Sequence, residues 1–255
     1  MKKIIYYFSG TGNSLYLGKK LKEKCNYELV DISKLMAQEK IILEGHVGII
    51  FPIYAMGIPR ILETFLKKCK IKNLEYLFTI ATCGSKGYGI PFKQVEKILN
   101  CKIDYSQYCH MPDNYLKLFK PPTKEKALEE FQEINKNINI ILNHIEFLHK
   151  FSPKHIPGAS ILYSGIYKFW RFGLKKAYKS FQVNDKCTQC GLCIDLCPTK
   201  NISLVNNKIT WDKNCEECLA CVNLCPFLAI TCGGKSKKHS LRYKNPFISI
   251  EELKK

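Results

Sequence analysis

Eight of the fourteen cysteines fall into two copies of one pattern, C-x2-C-x2-C-x3-C-P. The first copy is Cys187, Cys190, Cys193 and Cys197 with Pro198; the second is Cys215, Cys218, Cys221 and Cys225 with Pro226. No other feature restricts so tightly what this part of the chain can fold into. A four-iron, four-sulfide cube presents four iron corners, each requiring a thiolate. Three cysteines at two-residue spacing let one tight loop wrap three corners, and in modules built from two such arrays the fourth ligand comes from the opposite array. One [4Fe–4S] cluster is therefore assigned to Cys187, Cys190, Cys193 and Cys225, and a second to Cys215, Cys218, Cys221 and Cys197. The proline after each fourth cysteine turns the chain and removes an N–H. Zinc sites use two cysteine pairs or cysteine with histidine, without a third cysteine at this spacing.

The first 110 residues alternate two other signals. Near-continuous apolar runs at Lys2–Phe8, Tyr27–Ile32, His46–Ile53, Leu74–Thr82 and, more weakly, Ile103–Cys109 read as strands. Between them Asn13–Cys25, Pro59–Lys70 and Pro91–Asn100 carry helical spacing, and Thr123–Lys150 reads as one long amphipathic closing helix. Apolar strands alternating with helices predict a parallel sheet covered on both faces. The expected division is 1–151 for this α/β domain, 152–181 for an aromatic and basic connector, 182–233 for the cysteine-rich module, and 234–255 for a basic, partly mobile tail.

The first strand candidate ends in Phe8-Ser9-Gly10-Thr11-Gly12-Asn13-Ser14, and a helix follows. Short hydroxylated residues and glycines at a helix N-terminus can wrap a phosphate through N–H and O–H donors. No Lys or Arg lies within the loop, so the cradle is neutral and suits the phosphate of FMN. It is not a Walker loop, since G-K-[ST] is missing, nor a G-x-G-x-x-G dinucleotide turn, since the third glycine is missing.

This loop resembles the phosphate loop of flavodoxins at Ser9, Thr11, Gly12, Asn13 and Ser14. The resemblance implies a flavodoxin-like, doubly wound five-stranded parallel sheet. It also implies two further flavin-contacting loops after the third and fourth strands. Here these hold Pro52, Tyr54, Met56 and Gly57, and Thr82, Cys83, Gly84, Gly87, Tyr88 and Gly89. Tyr54 and Tyr88 are either stacking partners of the flavin ring or ordinary loop tyrosines. The whole order resembles flavodoxin–ferredoxin fusion proteins of anaerobic microbes, which implies an α/β domain followed by a small α+β two-cluster ferredoxin domain and a role in moving electrons.

The formal charge is +18. Two oxidised all-cysteine clusters and an FMN phosphate would reduce it to about +12. A basic surface of this kind either steers the chain toward an acidic redox protein (a ferredoxin, a flavodoxin or a redox enzyme) or merely keeps the surface soluble, with a nucleic-acid partner well behind both. The connector, Ile161 to Lys176, offers peripheral membrane contact or a protein docking face. Its glycines interrupt the helical spacing and favour the reading in which its aromatics pack one domain on the other. No apolar run is long enough to span a membrane, and no secretion signal is visible. With the remaining cysteines (Cys25, Cys69, Cys83, Cys101, Cys109 and Cys232) scattered, the expectation is a cytoplasmic protein with reduced thiols. No acid–base pair and no nicotinamide-binding domain is readable. Three activities fit: a carrier between FMN, the clusters and a protein partner; a flavin-dependent reductase of a small molecule; and a redox sensor.

Overall fold

Five runs of β-branched and aromatic residues pair into one parallel sheet in the computed structural model, which describes residues 2–84, 89–154, 158–237 and 240–255. The strands are β1 (Lys3–Tyr7), β2 (Glu28–Asp31), β3 (Ile41–Pro52), β4 (Cys69–Cys83) and β5 (Tyr105–His110), in the order β2-β1-β3-β4-β5. Tyr7 pairs with both Asp31 and Ile50, Pro52 with Thr82, and Cys83 with His110. The carboxyl ends of the strands are thus in step, and the loops leaving β1, β3 and β4 emerge at one edge. That strand order is the flavodoxin-like one, whose ligand site lies at the switch between β1 and β3.

The helices of this region are α1 (Asn13–Cys25), α2 (Arg60–Lys68), α3 (Pro91–Leu99), α4 (Lys124–Glu146) and α5 (Ala159–Leu174). Right-handed crossovers put α1 on one face of the sheet and α2 and α3 on the other. Tyr16 of α1 donates to Asn135 Oδ1 of α4 at 2.7 Å and meets Phe131 edge-on at 5.2 Å. Ile5, Phe8, Leu17, Leu21, Ile49, Phe51, Phe65 and Phe78 are fully buried. Strands β3 and β4 begin earlier than the apolar runs suggest. Ile41–Leu43 pairs with Cys69–Ile71, and an irregularity at Gly45 (φ +67°) lets His46 N–H reach Lys2 O at 2.9 Å. The polar sequence Lys70-Ile71-Lys72-Asn73 hid this extension.

The cysteine-rich region is α+β. β6 (Gln182–Val183) pairs antiparallel with β9 (Ile230–Thr231), and β7 (Ile202–Val205) with β8 (Lys208–Trp211). The β7–β8 turn is Asn206-Asn207, both at positive φ, as a two-residue type I′ hairpin requires. One-turn helices α6 (Leu192–Asp195) and α7 (Ala220–Asn223) carry the third cysteine of each array, Cys193 and Cys221.

The chain divides into two compact units: 1–9, 13–111 and 131–168 in the first; 10–12, 112–130 and 169–255 in the second. Two expectations change. Gly165 and Gly173 do not interrupt the connector, because both lie in the continuous helix α5 or at its end, where nothing approaches their Cα. Nor is the end of the tail loose. Asn245, Ile248 and Leu253 are buried, and Arg242 donates to the carbonyls of Val222 and Ile230.

Candidate cluster and flavin sites

Each cysteine array folds by the same backbone rule. Gln189 and Gly191 adopt positive φ in the first array, as Glu217 and Leu219 do in the second. Left-handed residues alternating with right-handed ones turn successive N–H groups inward, which creates a nest for anionic sulfur. Three residues past each fourth cysteine, Lys200 and Leu228 also adopt positive φ. Their successors then donate back to sulfur: Asn201 N–H to Cys197 Sγ at 3.2 Å, and Ala229 N–H to Cys225 Sγ at 3.4 Å. Glu217 N–H donates to Cys215 Sγ at 3.3 Å.

The arrays surround two hollows. Cys187, Cys190, Cys193 and Cys225 line one, together with Leu196, Ile209 and Ile230. Cys197, Cys215, Cys218 and Cys221 line another, beside Phe181, Ile202 and Trp211. Cys221 reaches the rim of the first as well. Among the described residues no three His, Cys, Asp or Glu side chains converge on a single-ion site; the sulfurs stand around larger spaces.

Burial, then the neighbouring sulfurs, pushes the Cys193 thiol up to about 11. Burial pushes Cys215 up to about 12, and Cys218 and Cys221 rise as well. Four thiols gathered around one space match the four iron corners of a cube, so the donor set fits the group. Around the first hollow Cys190 is exposed, whereas around the second Cys215 and Cys221 are buried.

Two features beside the second array carry no motif. Glu217, between two cysteines, is buried and paired with Lys117, and its other oxygen accepts from Trp170 Nε1 at 3.0 Å. The Trp211 indole N–H is buried without a well-formed hydrogen bond, yet lies close enough to Cys221 to favour its thiolate. A cluster thiolate is the acceptor that this N–H lacks. Only the bare presence of a tryptophan four residues before Cys215 could have signalled it.

In the first unit, the loops after β1, β3 and β4 are tied together. Ser14 Oγ and Thr82 Oγ1 share a hydrogen bond at 2.9 Å, and Ile53 N–H donates to Thr82 O at 2.9 Å. Tyr54 and Gly57 exchange paired backbone bonds at 3.0 and 2.9 Å, closing a two-residue turn. Its central residues, Ala55 and Met56, sit at φ +43° and +74°. Non-glycine residues in this conformation are strained, and such strain concentrates at functional sites. Met56 O accepts from Ile90 N–H at 2.8 Å, an approach that only Gly89 (φ +122°) permits, since a Cβ there would strike that carbonyl. Pro52, Tyr54, Met56 and Cys83 are half-buried, Gly84 is exposed, and Ser9, Asn13, Ser14, Gly57, Thr82 and Gly89 are buried. The Tyr54 ring meets Phe8 edge-on at 6.3 Å. Gly87 and Tyr88 lie outside the described residues.

The loop tip groups with the second unit. Thr11 Oγ1 accepts from Asn114 Nδ2 at 2.5 Å, which leaves the hydroxyl proton of Thr11 to donate elsewhere. Asn245 N–H donates to Thr11 O at 2.9 Å, and Gly12 (φ +105°) lies where a Cβ would crowd Asn245 and Ile248. A neutral donor set without a lysine or arginine, at the start of a 13-residue helix, fits a phosphate monoester. Asn114 and Asn245, distant in sequence, were missed as supports of this loop.

Residues 179–226 match the family of 4Fe-4S dicluster domains. No curated protein matches the chain. Among solved structures, a flavoprotein from Bacteroides uniformis is 16% identical and covers 51% of this chain and 97% of its own, with a TM-score of 0.36. An NADH:FMN oxidoreductase in its apo form is 11% identical, with 60% and 92% covered and a TM-score of 0.39. A flavodoxin from the Archaea is 13% identical, with 56% and 100% covered and a TM-score of 0.30. The strand order and the matched module together define the class: a flavodoxin-like domain joined to a 4Fe–4S ferredoxin-type domain. That is the makeup of a redox protein.

Proposed function

We propose that this chain is an electron-transfer flavo-iron–sulfur protein that passes electrons between one FMN, two [4Fe–4S] clusters and a protein partner. Bound FMN exchanges one or two electrons and each cluster exchanges one, so the set converts between two-electron and one-electron chemistry. The observation that carries the proposal is the crossing of the fourth cysteines: Cys225 lines the hollow of Cys187, Cys190 and Cys193, and Cys197 that of Cys215, Cys218 and Cys221.

Cys187, Cys190, Cys193 and Cys225 would hold one cluster, and Cys215, Cys218, Cys221 and Cys197 the other. Inward N–H groups stabilise the sulfur charge, and the apolar lining limits water. Ser9, Thr11, Gly12, Asn13 and Ser14 would bind the FMN phosphate. The loops at Pro52–Gly57 and Thr82–Gly89 would bound the ring, with Tyr54 and Tyr88 as stacking residues and the strained Ala55-Met56 turn fixing the backbone beneath it. The exposed Cys190 marks the side at which a partner would approach, since electron transfer needs short distance. A cytoplasmic location and an acidic redox partner agree with the reduced cysteines and the net charge.

The test is composition. Protein reconstituted anaerobically should contain about eight irons and one FMN per chain. Eight irons without flavin would remove FMN from the account, and four irons would remove one cluster.

A further inference from the structure

Between Glu146 and Asp185 the chain runs 38 residues without one acidic side chain, while seven are basic: Lys150, Lys154, Lys168, Arg171, Lys175, Lys176 and Lys179. Helix α5 (Ala159–Leu174) sits in the middle of this stretch. At 100° per residue its side chains sort onto two faces. One holds Tyr163, Tyr167, Trp170 and Leu174, of which Tyr167 and Leu174 are buried. Tyr167 anchors that face by donating to Ile58 O at 2.8 Å.

The opposite face holds Ile161, Leu162, Gly165, Ile166, Phe169, Phe172 and Gly173, all of them exposed and none polar. Ile161 is 82% exposed, Phe169 81% and Phe172 69%. Isolated exposed apolar residues need no explanation, but a contiguous stripe of five large ones along about three turns does. An aqueous surface disfavours it, and the expectation that these aromatics serve internal packing does not account for it.

We infer that this face of α5 is a peripheral membrane-binding surface that lies in the plane of an anionic bilayer. Three observations select that occupant. The face itself is apolar throughout, as insertion among acyl chains requires. Lys168 beside it, and Lys175, Lys176 and Lys179 just past the helix, form a basic collar with no acidic residue to oppose anionic headgroups. And α5, at 16 residues, lies on a membrane rather than crossing it: among the described residues no helix is long and apolar enough to span one.

The experiment is co-sedimentation of the cluster-loaded protein with vesicles of phosphatidylcholine and phosphatidylserine, against phosphatidylcholine alone. Binding is expected to the mixed vesicles, weakening as salt rises. Phe169→Ser with Phe172→Ser should weaken it by about tenfold or more, because two large side chains no longer insert. Lys175→Glu with Lys176→Glu should abolish the preference for phosphatidylserine while leaving the apolar face intact. Iron content and circular dichroism establish that each variant is folded. Absence of wild-type binding to mixed vesicles would overturn the inference, whether the protein is then a monomer or a dimer closed through this face by sedimentation velocity. Binding unaffected by the phenylalanine variant would overturn it as well.

Discussion

Cys197 and Cys225 belong by chain order to one array and by position to the hollow of the other. Each also accepts an N–H from the residue four positions on, which fixes where its sulfur points. Replacing Cys225 by Ser should therefore disturb the cluster of Cys187, Cys190 and Cys193, and Cys197→Ser that of Cys215, Cys218 and Cys221. EPR of the reduced proteins distinguishes the two: each variant should lose or alter a different signal. The same signal affected in both would mean that the fourth ligands do not cross. At the same scale, Trp211→Phe removes an N–H that favours the Cys221 thiolate. A hydrogen bond to ligand sulfur stabilises the more negative, reduced cluster, so the potential of that cluster should fall in the variant. An unchanged potential in an EPR-monitored titration would show that the indole plays no electronic part. The cysteines were legible in sequence because the spacing itself encodes the loop. Trp211, Glu217 and Lys117 were not, since their importance lies in burial beside sulfur.

Among elements, the strands and the first four helices follow their apolar periodicity, because a parallel sheet buried on both faces leaves little freedom in residue choice. The early starts of β3 and β4 and the continuity of α5 were harder to read. Lysines and Asn73 mask strand pairing at the starts of β3 and β4, and glycine spacing resembles a break although a helix that faces solvent on one side tolerates glycine at modest cost. The turn Tyr54–Gly57 was legible only as a loop; its strain is a property of dihedral angles that no residue type announces. Gly89→Ala tests how rigidly this turn is held. The substitution meets both a left-handed backbone and the Met56 carbonyl. It should cost about 1–3 kcal/mol of stability in the α/β domain and lower the FMN content of purified protein. Thermal unfolding and released-flavin absorbance are the readouts; unchanged values in both would mean that the Met56–Ile90 contact yields freely.

At the scale of the whole molecule, two cofactor types with different electron counts are proposed for a single chain, on a scaffold whose formal charge is +18. The order of the parts along the chain was legible, because each has its own periodicity and motif. The grouping of residues 10–12 and 112–130 with the cysteine-rich unit was not. It rests on contacts such as Asn114 with Thr11 and Asn223 with Asn114, between residues about a hundred positions apart. The central claim is that flavin and both clusters are redox-active in one chain. Its most direct test is an anaerobic reductive titration of the reconstituted protein, followed by flavin absorbance and EPR together. The account predicts bleaching of one FMN and the growth of two reduced [4Fe–4S] signals within a single titration. A single cluster signal, or flavin absorbance that never changes while both clusters reduce, would contradict it.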